Sequence, residues 1–95
     1  MEIRSGGSYF VRIDTQIGDQ KISDQDLRDH LKYVGDVASR QYFVGGGFMD
    51  RPGGMCFFEA ESLEAAHSIV RNDPVIKRGF YSCELYEWKP TVMSG

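Results

Sequence analysis

The chain has little of several things, and each shortage excludes a class of function. It has two cysteines, Cys56 and Cys83, among 95 residues. They are too few for a disulfide framework and too far apart for a C-x-x-C redox or metal motif. Basic residues are outnumbered, with 11 Lys and Arg against 14 Asp and Glu, a formal charge of −3. That balance argues against a nucleic-acid backbone as the main partner. No apolar run approaches the roughly 20 residues that cross a bilayer. The opening Met1-Glu2-Ile3-Arg4-Ser5-Gly6-Gly7 is polar and lacks the core of a secretory signal. The location expected is therefore the cytoplasm, with no membrane partner. Two histidines, His30 and His67, stand in no tight cluster with Cys or carboxylates, so no metal is expected. Gly45-Gly46-Gly47 is not followed by a helix opening with Lys-Ser or Lys-Thr, so it is no phosphate loop, and no cofactor is expected.

What the chain does have is apolar residues (41%) and aromatics (13%), enough for one globular domain over 1–95 with a core of about 8–90. Ser8 to Asp14 alternates as a strand, with Tyr9, Val11 and Ile13 on one face and Phe10 and Arg12 on the other. Ser23 caps a helix that carries Leu27, Leu31, Val34 and Ala38 at helical spacing and runs to about Gln41. Tyr42-Phe43-Val44 opens a second strand that continues through the glycines to Phe48 and Met49. Asp50-Arg51-Pro52-Gly53-Gly54 is turn chemistry, and Met55 to Phe58 is a third strand. Ser62 caps a second helix, Asn72-Asp73-Pro74 stops it, and Asp73 can cap a short turn that ends at Gly79. Phe80 to Trp88 is the last strand.

The order β-α-β-β-α-β predicts an α+β, ferredoxin-like fold, a four-stranded antiparallel sheet with two helices on one face. Bulky residues occupy both faces of the strands, and helices bury only one. The simplest cover for the open sheet face is a second copy, which predicts a homodimer; a monomer binding a flat ligand is the alternative. In this strand order the third and fourth strands are not neighbours, so Cys56 and Cys83 are expected as free, buried thiols.

Asp29-His30-Leu31-Lys32-Tyr33, the glycine turn after the second strand, Glu59 to Ala66, Asn72 to Gly79, and the closing Trp88-Lys89-Pro90 together resemble the YciI-like family. The resemblance spans about Tyr9 to Pro90. It implies a dimeric α/β barrel with a histidine–aspartate pair as active site, which here would be His30 and Asp73. It also implies kinship with dehydrochlorination of chlorinated aromatics, and hence proton abstraction. The chain departs from the family pattern at Gly46-Gly47, where Gly-Pro is usual, and at Val75, where an aromatic is frequent. Both changes bear on pocket shape.

His30 lies three residues after Leu27 and four before Val34, on the inward side of its helix. It reads either as a half-buried histidine bonded to a backbone carbonyl or as a general base oriented by Asp73. Asp73 reads as a cap, as the partner of His30, or as both. Tyr9, Tyr33, Gly46 and Phe48 are the candidate pocket residues, with Phe10 and Tyr81 as further apolar wall. Arg4 and Arg12 would either attract an anionic substrate or stand as solvated rim charges. His67 falls on the face of the second helix near Leu63 and Val70, where a packing or boundary role is expected rather than a metal role. Two functions fit: a small lyase-, isomerase- or dehydrochlorinase-like enzyme acting on a hydrophobic or aromatic substrate, or a non-catalytic module that binds a small ligand or dimerises. Gly54 to Ala60 superficially resembles an RNA-recognition stretch, but it lacks the basic residue before the glycine-aromatic run.

Overall fold

The computed structural model describes residues 7–95, so Arg4 lies outside the described residues. Its elements are β1 (Tyr9–Gln16), α1 (Asp24–Ala38), β2 (Phe43–Gly47), β3 (Gly54–Glu59), α2 (Leu63–Arg71), α3 (Pro74–Lys77) and β4 (Tyr81–Trp88). The strands form one four-stranded sheet in the order β2-β3-β1-β4, antiparallel at every pairing. This is the ferredoxin-like arrangement.

Local chemistry sets the element ends. Ser23 and Asp26 form a reciprocal capping box at the start of α1. Ser62 accepts from the Ala65 N–H at the start of α2. Asp73 accepts from the Val75 N–H ahead of Pro74, which occupies the first turn of α3. Several ends differ from expectation, among them β2, which stops at Gly47 short of Phe48 and Met49. β1 runs on to Gln16 because Thr15 and Gln16 pair with Ser82 and Tyr81. α1 stops at Ala38 because the N–H groups of Ser39 and Arg40 turn back onto Gly35 and Val37.

Alternation along the strands separates two faces. Phe10, Cys56 and Phe58 form the core with Ala60, Ala66 and Val70, joined at its edge by Phe43, Ile69 and Leu85. Burying rings such as Phe10 and Phe58 contributes about 1.5–3 kcal/mol each. On the opposite face Tyr9 stacks on Phe57 at 5.3 Å, and Phe57 meets Trp88 edge-on at 4.8 Å. Val44, Met55, Tyr86 and Trp88 on that face keep roughly half their surface exposed. Cys56 and Cys83 are both free, the first buried and the second half-buried. No helix among the described residues is long and apolar enough to cross a membrane.

Candidate active site

The helix-covered face of β1 carries two charged residues beyond Phe10. Arg12 and Asp14 sit two apart on the strand and so point to the same side. The Arg12 Nε–H and Nη2–H both donate to the Asp14 carboxylate at 2.9 Å, a two-pronged ion pair. The Nη1–H of Arg12 reaches Asp73 Oδ2 at 2.9 Å. Arg12 is only 2% exposed, so the rim-charge reading is corrected: strand alternation turns it inward beneath α1.

Asp73 is fully buried. Its carboxylate accepts from the Val75 N–H of its own turn and from His30 on α1, and it forms an ion pair with Arg12 on β1. The His30 Nδ1 lies 2.8 Å from Oδ1 and 2.9 Å from Oδ2. Facing a carboxylate, this nitrogen is the donor, so the ring is held with Nδ1 protonated. No hydrogen bond engages Nε2 among the described residues, and His30 lines a cleft. Burial works to raise the Asp73 carboxyl. The His30 hydrogen bond, the Arg12 and His30 charges and the Val75 N–H outweigh it and hold the group below the usual carboxylate range. For Arg12, burial opposes the charge, but the Asp14 bond and the two carboxylates overcome it and hold the guanidinium above its ordinary value. Burial pushes the Cys56 thiol up to about 12, so it remains a thiol at neutral pH and is a poor nucleophile.

The cleft has a volume of about 240 Å³. Leu27, Leu31 and Val34 of α1 form one wall, and the backbone of Gly45-Gly46-Gly47 borders the other side. Arg12, Asp14, Cys56, Val75 and Tyr81 close it beneath His30. The first turns of α1 are tied to the end of α3 by Arg78, which donates at 2.8 Å to both Asp26 and Asp29. That bridge joins the segment carrying His30 to the segment carrying Asp73.

The remaining predicted pocket residues divide. Gly46 borders the cleft. Tyr9 does not: alternation places it on the opposite sheet face with Phe57. Tyr33 does not either, because its hydroxyl donates to the Ile69 carbonyl at 2.7 Å and fastens α1 to α2. Burial, then the Asp73 charge, raises that phenol above its ordinary pKa. Phe48 lies past β2 under the Arg51 guanidinium, 5.1 Å from its ring centre, and is not among the lining residues. Phe10 belongs to the core and His67 is exposed on α2. Asp14 is the polar residue that sequence reasoning missed. Its signal was present as a charged pair on the strand face that also carries Phe10. Among the described residues no group of three or more His, Cys, Asp or Glu is arranged to hold a metal ion.

Known proteins place this geometry in context. "Uncharacterized protein YjpA" of Bacillus subtilis (strain 168) is 30% identical over 71 residues, covering 74% of this chain and 84% of that protein. Among solved structures, 5-chloro-2-hydroxyhydroquinone dehydrochlorinase (TftG) from Burkholderia phenoliruptrix AC1100, in complex with 2,5-dihydroxybenzoquinone, superposes with a TM-score of 0.73 at 25% identity. The match covers 85% of this chain and 93% of that one. The model of the YCII-related domain matches residues 9–89, from the first residue of β1 to just past β4, and this chain belongs to that family.

Proposed function

We propose that the protein is a small acid/base enzyme in which His30, oriented by Asp73, moves a proton on a small hydrophobic or aromatic substrate. The observation that carries this reading is the His30 Nδ1 set 2.8 Å from a fully buried carboxylate at the edge of an apolar-walled cleft. An imidazole held at Nδ1 presents Nε2 as its proton acceptor. It takes a proton from a C–H or O–H of the ligand, and the freed electron pair enters the conjugated system. Where chloride stands in position to leave, it departs with its bonding pair. The structural likeness to a dehydrochlorinase supports that reaction class.

The working unit in this reading is a homodimer joined through the open sheet face, supported by the exposed Val44, Met55, Tyr86 and Trp88. The two unbridged thiols suit a reducing compartment and support a cytoplasmic location.

The test is chloride release from 5-chloro-2-hydroxyhydroquinone. The wild type is expected to release chloride, and His30→Ala to lose about 10²–10⁴-fold of that rate, the usual worth of a general base. If no chlorinated or quinol substrate turns over while His30→Ala still weakens binding of 2,5-dihydroxybenzoquinone, the protein is a small-ligand-binding module instead.

A further inference from the structure

The cation beneath the cleft has a specific task. We infer that Arg12 is a positioning residue that holds Asp73 as an anion turned toward His30, and that it is not a receptor for an anionic ligand. The inference rests on the His30–Asp73 reading above and extends it to the class of molecule the cleft accepts.

The geometry carries the argument. One guanidinium bridges two carboxylates: its Nε and Nη2 grip Asp14 at 2.9 Å and its Nη1 holds Asp73 Oδ2 at 2.9 Å. The fork fixes the plane of Arg12, and the third contact fixes Asp73 Oδ2, which leaves Oδ1 within 2.8 Å of His30. A buried carboxylate with an imidazole as its sole charged partner would be pushed toward taking up a proton. A neutral acid would no longer hold the ring. Arg12 opposes that protonation, and Asp14 balances Arg12.

The remaining charged and titratable groups around the site are already occupied or neutral. Arg78, at the end of α3, is engaged by Asp26 and Asp29 of α1. Cys56 on β3 and Cys83 on β4 remain thiols, and Tyr33 of α1 remains a neutral phenol, each held there mainly by burial. Tyr81 from β4 contributes a ring to the lining. With His30 as the neutral base, two carboxylates against one guanidinium leave the floor with an excess of negative charge, which the imidazolium formed when His30 takes a proton neutralises. A carboxylate or phosphate ligand therefore meets net repulsion. An uncharged molecule that surrenders a proton to His30 does not, and that is the ligand class this floor suits.

The test follows the Asp73 carboxyl carbon by NMR through an acid titration of the full chain. In Arg12→Gln its midpoint is expected to rise by at least about one pH unit, the usual influence of an adjacent opposite charge. Arg12→Lys, which keeps the charge and loses the fork, should raise it by less. An unmoved midpoint in folded Arg12→Gln would falsify the inference. Should that variant not fold, the wild type decides the matter. Its Arg12 Nη signals should be resolved from one another and shift in step with Asp73, whereas averaged or indifferent signals overturn the proposal.

A second arm titrates benzoate and inorganic phosphate while watching Arg12 Nε. No saturable shift is expected, and one would make Arg12 an anion receptor. Imidazole nitrogen spectra of Asp73→Ala, which removes the acceptor facing Nδ1, separate the two layers of the reading. If His30 keeps its tautomer in folded Asp73→Ala, the dyad itself is wrong. If His30 changes there while the Arg12 tests fail, only the present inference falls.

Discussion

Asp73 performs two tasks with one carboxylate. It caps the turn at Pro74 through the Val75 N–H, and it receives His30 and Arg12 from two other elements. Capping alone does not require full burial, and burial without those partners would strongly disfavour the charge. Its pKa lies below the ordinary carboxylate value, which means the folded state binds the proton less readily than the unfolded chain. The stability it contributes is therefore complete above the ordinary range near about pH 4 and is lost as pH falls through that range toward the depressed folded value. Urea midpoints measured from pH 7 downward should show this acid loss in the wild type and a shallower one in Asp73→Asn. At pH 7 the variant should also be less stable by about 3 kcal/mol, because Arg12 is left buried beside a neutral amide. Equal acid slopes in the two proteins would mean that Asp73 carries none of the linkage.

At the scale of elements, the cleft exists because three of the five residues of β2 are glycines. Leu27 and Leu31 of α1 remain 42% and 56% exposed, since Gly45 and Gly47, on the helix-covered face of β2, offer them no side chain to pack against. The helix and the glycine strand thus face each other across open space. The glycines are not equivalent. A Cβ added at Gly46 meets nothing within 4 Å, whereas at Gly53, with φ of 101°, it would fall on the Asp14 carbonyl. Gly46→Ala should therefore fold as the wild type does and leave the cleft as wide, because alternation turns its methyl to the open sheet face with Val44 and Met55. Gly53→Ala should destabilise by more than about 1 kcal/mol, because it combines a backbone conformation unfavourable for alanine with a clash against β1. Thermal melts of the pair decide this, and comparable melting temperatures would contradict the steric account.

For the whole molecule, the sheet has one face finished and one open. The finished face is closed by α1 and α2 over Phe10 and Phe58. The other carries the linked rings of Tyr9, Tyr42, Phe57 and Trp88, with Val44, Met55 and Tyr86 still exposed around them. Apolar surface of this kind favours a second copy, and a twofold pairing is the commonest way to cover it. Light scattering should give twice the chain's 10.8 kDa. Tyr86→Glu, which sets a charge beside the existing Glu84, should shift the protein toward monomer at micromolar concentration. A monomeric wild type would leave the open face to a flat ligand.

Element order was legible in the amino-acid sequence because it depends on local chemistry: alternation in the strands, Ser23 and Ser62 as caps, Pro74 as a stop. The inward side of α1 was legible for the same reason, since helical spacing sets His30 beside Leu27 and Val34. Its partner, Asp73, stands 43 positions away, and it was named through family resemblance rather than through spacing. Tertiary structure alone decided which strand face the helices cover, because alternation defines two faces without saying which is buried. That choice sends Tyr9 away from the cleft, keeps Tyr33 bound to a carbonyl on α2, and draws Arg12 and Asp14 beneath His30. A charged residue on a strand looks like a surface residue until its neighbours are known. Here the neighbours are two carboxylates brought together by pairing and turn geometry, and they make burial of Arg12 favourable.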